Sequence, residues 1–223
     1  MVASRLPDRQ TESIMTSHIA LIGDSIFDNR AYIGGAPDVV AHLRAELPAP
    51  WRATLCAVDG STTGDLARQL GNVPVDASHL VISIGGNDAI LNSDLLGLPV
   101  GSTAEALVLF GDRIRQFESS YRSAIDDALA LQRHTTVCTV YNGNLDASQA
   151  PVVRVALMMF NDVILRIAIE RRLAVIDLRL VCSSAADYAN PIEPSGDGGR
   201  KIAAAIARSV LGEKMSHAKV YAG

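Results

Sequence analysis

The sequence predicts an α/β fold in three layers, with helices on both faces of a five-stranded parallel sheet. Three observations predict it. Five short apolar runs, residues 18–22, 53–58, 80–84, 136–140 and 174–178, are rich in Val, Ile and Leu and show little polar alternation. That is the pattern of a parallel strand covered on both faces. Longer stretches with helical spacing separate the runs, as βαβ units require. Small and polar residues follow four of the runs, where ligands bind in sheets of this kind.

Taken in order, the run 18–22 ends at Gly23-Asp24-Ser25. Residues 38–47 then carry Val39, Val40, Leu43 and Leu47 at close to helical spacing. The second run leads to Asp59-Gly60-Ser61-Thr62, and a threonine cap opens a short helix over 63–70. The third run leads to Gly85-Gly86-Asn87-Asp88. A long helix over 102–132 places Leu107, Phe110, Ile114, Phe117, Tyr121, Ile125 and Leu129 on one face. The fourth run is followed by Tyr141-Asn142-Gly143-Asn144, then a helix over 152–172, whose Met158-Met159-Phe160 cluster reads as core. The fifth run precedes a last helix, rich in Ala and Ile, over 198–211.

Composition narrows the classes. With 48% hydrophobic and 20% charged residues the chain is globular rather than disordered. A net charge of −4 without a basic stripe argues against a nucleic-acid partner. Charges break every apolar run well short of membrane-spanning length. Residues 1–17 lack the apolar centre of a signal peptide, so residues 1–15 read as a mobile extension, 16–212 as one domain and 213–223 as a tail. Cys56, Cys138 and Cys182, odd in number and scattered, fit reduced core thiols in the cytoplasm rather than a disulfide framework or metal site. A homodimer is the default assembly.

The strand-end residues suit acyl transfer. A serine nucleophile needs a base and donors for the oxyanion. Ser25 follows a strand directly, Gly60 allows close backbone approach, and Asn87 offers an amide donor that does not titrate. Gly23-Asp24-Ser25, Gly60 and Gly85-Gly86-Asn87-Asp88, in this order, resemble the first three blocks of the SGNH (GDSL-type) hydrolases, over roughly residues 18–211. The resemblance implies a flavodoxin-like fold and the activity of an esterase, lipase, thioesterase or carbohydrate deacetylase, without a cofactor. It makes Ser25 the nucleophile, and the Ser25 and Gly60 amides with the Asn87 side chain the oxyanion hole. Asp24, Asp28 and Asp88 stand close enough in sequence to line the pocket or hold its turns.

The family's last block departs here. An Asp three residues before a catalytic His is expected, followed by Pro, Ser and a later Gly. Pro194, Ser195 and Gly198 hold their places, but Asn190 replaces the Asp and Glu193 the His. His18, His79 and His134 fall at strand starts, away from the site, and His42 lies within a helix. Three readings follow. Glu193 is the base, with Asn190 orienting it by amide donation. Alternatively His217 or a partner subunit supplies the base. In the third, the site binds a ligand without turning it over. A free carboxylate near pKa 4.3 is a poor base for serine, so the first reading needs burial to raise Glu193.

Two other classes compete. A dinucleotide-binding protein would carry Gly-x-Gly-x-x-Gly after the first strand, where this chain has Gly23-Asp24-Ser25-Ile26-Phe27-Asp28. A metal-dependent hydrolase would need Asp24, Asp59, Asp65 and Asp88 to converge. The expectation is a serine-dependent esterase acting on a small-molecule ester, with the pocket shaped by residues 26–38, 92–103 and 142–151.

Overall fold

A computed structural model describes residues 17–212. The extension 1–15 and the tail with His217 therefore lie outside the described residues. Five strands, β1 (His18–Gly23), β2 (Arg52–Leu55), β3 (His79–Ser83), β4 (His134–Cys138) and β5 (Ala174–Ile176), form one sheet in the order β2-β1-β3-β4-β5. Every pairing is parallel, and Gly23 lies opposite Ser83. The helices are α1 (Val39–Glu46), α2 (Leu66–Leu70), α3 (Gly86–Leu91), α4 (Thr103–Ala130), α5 (Ala150–Glu170), α6 (Leu178–Val181) and α7 (Gly196–Leu211).

The uniform burial of β1 explains its lack of polar alternation. Ala20 and Ile22 point into one apolar layer with Phe117 and Tyr121 of α4 and Ile164 and Ile167 of α5. Ile19 and Leu21 point into the opposite layer with Val39 and Leu43 of α1 and Ile202 and Ile206 of α7. Side chains alternate along the strand, and both faces are covered, so both sets are apolar.

Side-chain caps set the helix starts. Asp38 accepts from Ala41 N at 2.8 Å, Ser102 from Glu105 N at 3.1 Å and Ser195 from Gly198 N at 3.1 Å. Thr62 and Asp65 form a capping box on the 3-10 turn that leads into α2. Three expected strands stop two or three residues early, β4 among them at Cys138. β2 ends at Leu55 because Cys56 N and Ala57 N both bond the Leu21 carbonyl, which breaks the ladder. β5 ends at Ile176 because Asp177 turns to cap α6.

Two helices outrun the sheet. At 1.5 Å per residue α4 is about 42 Å long and α5 about 31 Å, against about 20 Å for the longest strand. Each leads back toward the start of its next strand, so its first turns project beyond the carboxyl edge. Two expectations are corrected. Leu107 is 61% exposed because no strand lies beneath the first turns of α4, and Met158 is 62% exposed because it faces outward on α5, beside buried Leu157 and Phe160.

Buried side-chain amides finish two strand ends. Asn161 of α5 accepts from Val140 N and donates to Val140 O, both at 2.8 Å. Gln69 of α2 makes the same pair with Gly23, again at 2.8 Å. Each supplies the partner that a neighbouring strand would give. Asn161→Leu leaves two buried backbone groups unpaired, at about 1–3 kcal/mol each. Urea titration should show a loss of about 2–5 kcal/mol.

Candidate active site

The strand order reverses between β1 and β3, and residues after both strands meet there, as expected for a sheet of this topology. Gly23 makes the first turn possible. A Cβ on it would lie 1.8 Å from Ser83 O, and its φ is +139°. Asp24 N then bonds Ser83 O at 3.2 Å, and the Asp24 carboxylate accepts from Ile26 N at 3.1 Å. Ser25 is held between them, 8% exposed.

Its hydroxyl donates to Glu193 Oε1 at 3.0 Å, across 168 residues of sequence. The segment carrying Glu193 is fastened from several sides. Asn190 Oδ1 accepts from Ile192 N and Glu193 N, both at 2.9 Å, and Ala189 N donates to Glu193 O at 2.9 Å. Tyr141 Oη donates to Ile192 O at 2.5 Å, and Asn144 N to Pro191 O at 2.8 Å. Asn190 thus acts on Glu193 through a backbone turn. The expected amide donation to the carboxylate does not occur, because the turn uses the side-chain oxygen and Glu193 Oε2 is buried without a partner.

Asn87 Nδ2 donates to Ser61 O at 2.9 Å, which leaves its second N–H free. The backbone N–H groups of Ser25 and Gly60 bond no acceptor among the described residues. Gly60 has φ +78°, open to glycine at no cost, and it does not line the cavity. Ser61 O joins its segment to Asn87 instead.

A cavity of about 330 Å³ opens above Ser25. Asp24, Ser25, Asn87, Tyr141, Asn142 and Glu193 supply its polar edge. Its walls are apolar, and the sequence reading missed most of them: Ile90 of α3, Phe110 of α4, and Val153, Ala156, Leu157 and Phe160 of α5. Phe110 and Val153 come from the projecting helix starts, Leu157 and Phe160 from the buried face of α5, and Ile90 from α3. The expected loops contribute Ile26, Asn92, Ser93, Leu96, Asn142, Gly143 and Leu145. Among the described residues no Lys or Arg lines the cavity.

Asp28 and Asp88, expected beside Asp24, do not line it. Asp28 accepts from Asp59 N, and Asp88 from the Thr63 amide and hydroxyl. The Asp59 carboxylate accepts from Tyr32 Oη at 2.6 Å and Asp65 takes Thr62, so the four carboxylates of the metal reading have separate partners. None of the four described histidines reaches the cavity. His18 contacts Asp76 at 3.0 Å and Thr54 at 2.8 Å at the amino edge, His79 stacks on His134 there, and His42 packs against Gly199. Gln69 was also missed. It donates to Ser61 Oγ as well as Gly23 O, and its only signal was a polar residue between Leu66 and Leu70 on a buried helix face.

Burial dominates the electrostatics. It pushes Asp24 up to about 7, against the Ile26 amide, with the Glu193 and Asp88 charges adding to the rise. Burial also raises Glu193 above the usual carboxylate range, against the Ser25 hydrogen bond, with Asp59 adding to the rise.

The GDSL-like lipase/acylhydrolase family model matches residues 21–201. No curated protein matches the sequence. Among solved structures, an extracellular lipase from Streptomyces rimosus is similar with a TM-score of 0.64 at 17% identity, over 86% of this chain and 99% of that one. A catalytic mutant of an acetylxylan esterase from Geobacillus stearothermophilus gives 0.64 at 20%, over 87% and 94%. A phospholipase A1 from Streptomyces albidoflavus gives 0.64 at 16%, over 87% and 99%. At these identities the likeness to the solved structures is one of fold.

Asp24 ties stability to pH. Between its unfolded value of 3.8 and about 7 the folded chain binds the extra proton, so this contribution to stability falls as pH rises. Asp24→Asn keeps the acceptor for Ile26 N and removes the charge. Melts across pH 4 to 8 should show the wild type losing up to about 4 kcal/mol relative to the variant as pH rises. Parallel curves would refute a buried, titrating Asp24.

Proposed function

Because the chain belongs to the GDSL-like lipase/acylhydrolase family of hydrolases, we propose that it is a serine-dependent carboxylic ester hydrolase with Ser25 as nucleophile and Glu193 as base. The 3.0 Å hydrogen bond from Ser25 Oγ to Glu193 Oε1 carries the reading. Nucleophile and base stand within proton-transfer reach, at the floor of an apolar cavity. Burial moves Glu193 toward the operating pH, where a carboxylate becomes a usable base.

In this mechanism Ser25 Oγ attacks the acyl carbon and its proton passes to Glu193 Oε1. The oxyanion is held by the Ser25 amide and the second N–H of Asn87, the two expected donors whose residues line the cavity. Protonated Glu193 returns the proton to the leaving alkoxide as the tetrahedral intermediate collapses. Glu193 then deprotonates a water that attacks the acyl-enzyme, and Ser25 is regenerated. Asp24 holds the turn rather than reacting. The substrate is a neutral, small-molecule ester, since the lining offers no cation for an anionic group. The three free, buried cysteines support a cytoplasmic setting.

A protein that binds such a ligand without turnover is the second reading, favoured by the family's histidine position being filled by Glu193 and by the lack of a described histidine in the lining.

Fluorophosphonate labelling, followed by intact-mass spectrometry, separates the two. The labelling rate of Ser25 should rise with pH as Glu193 loses its proton, with a midpoint above the ordinary carboxylate range. Glu193→Gln should slow it by about 10²–10⁴-fold, and Ser25→Ala should abolish it. Full-rate labelling of Glu193→Gln would remove Glu193 as the base. No labelling at any pH would favour the binding protein.

A further inference from the structure

A second hollow lies beside the catalytic cavity, between the projecting first turns of α4 and α5, with a volume of about 360 Å³. The two spaces share Leu96, Phe110 and Ala156 in their linings, so they adjoin across those side chains. Each is near the lower end of the range for small-molecule sites, about 300–1,000 Å³. The outer groove is lined by Leu107, Val155 and Met159 among others, none of them charged. Leu107 and Val155 are 61% and 60% exposed, so two helices present apolar faces to water next to a reactive serine.

We infer that this groove holds the distal methylenes of a medium- or long-chain acyl group whose carbonyl end sits at Ser25. The inference deepens the proposed function and rests on Ser25 as the nucleophile. The acyl group, not the alcohol, is the fitting occupant. The alcohol leaves after the first step and water must take its place, whereas the acyl group stays bonded to Ser25 until the second step ends. An apolar, water-excluding wall adjoining the cavity suits the part that stays. An acetyl group would use none of the groove. The unbranched thioether of Met159 adapts to a flexible chain.

The test compares kcat/KM for p-nitrophenyl esters from acetate to dodecanoate on the wild type, Leu107→Asp and Val155→Asp. Both positions are exposed, so folding is retained, and circular dichroism checks it. Wild-type kcat/KM should rise with chain length, by up to about fourfold for each methylene buried. The dodecanoate-to-acetate ratio should fall at least about tenfold in either variant. A companion measurement needs no turnover. Fluorescent methyl parinarate, a neutral long-chain ester, should bind Ser25→Ala and bind Ser25→Ala/Val155→Asp at least about tenfold more weakly. If no ester is hydrolysed but this difference persists, the catalytic reading fails and the groove stands. An unchanged ratio with unchanged parinarate binding would overturn the groove. So would a length dependence confined to acetates of long alcohols. So would an unchanged ratio with a loss of dimer by light scattering, or of binding to phosphatidylcholine vesicles, since the face would then serve a second copy or a lipid surface.

Discussion

The site depends on how the backbone is satisfied where β1 stops. Gly23 lies so close to Ser83 that no side chain fits, and its own N–H and C=O are taken by Gln69. The same Gln69 amide donates to Ser61 Oγ, and the Ser61 carbonyl accepts from Asn87. The turn that carries Ser25 and the Asn87 amide are therefore joined by one relay, Gly23 to Gln69 to Ser61 to Asn87. A buried polar network of this kind is stable only when every member is paired, which fixes the relative position of Ser25 and Asn87.

The opposite side of the site is fixed differently. Glu193 sits on a short segment closed by a single antiparallel bridge between Tyr188 and Pro194. Its position comes from the Asn190 turn and from Tyr141 and Asn144, which grip the carbonyls of Ile192 and Pro191. Tyr141 also lines the cavity, and burial holds its phenol well above the usual range, so it remains a donor. Asp187, buried and paired with Lys201 at 2.6 Å, steadies the start of the same segment through Ser195.

Much of this was legible in the sequence. Strand period and residue type located all five strands, because both apolar layers leave the same mark on them. Ser25, Asn87 and Glu193 were legible as a set because each follows or replaces a recognisable block. What escaped depends on comparisons that no local window makes. Part of the apolar wall arises because α4 and α5 are longer than the strands they cover, so periodicity placed Leu107 in a core that has no strand beneath it. Asp28 and Asp88 stand next to site residues in sequence but spend their oxygens on Asp59 and Thr63. Gly60 lies outside the cavity lining because Ser61, its neighbour, makes the link to Asn87.

In the proposed reaction, a carboxylate at position 193 gives the proton transfer a different electrical character. A neutral imidazole that takes a proton from serine creates a cation beside the new oxyanion, and the pair attract. A carboxylate that takes the same proton becomes neutral, so the negative charge is relocated by a few ångströms and no countercharge appears. The donors at the oxyanion then carry the full stabilisation, and the apolar walls do not oppose the transfer as they would a separation of charge. A site built this way is served by apolar walls without a cation among the described lining residues, which is what α4 and α5 supply.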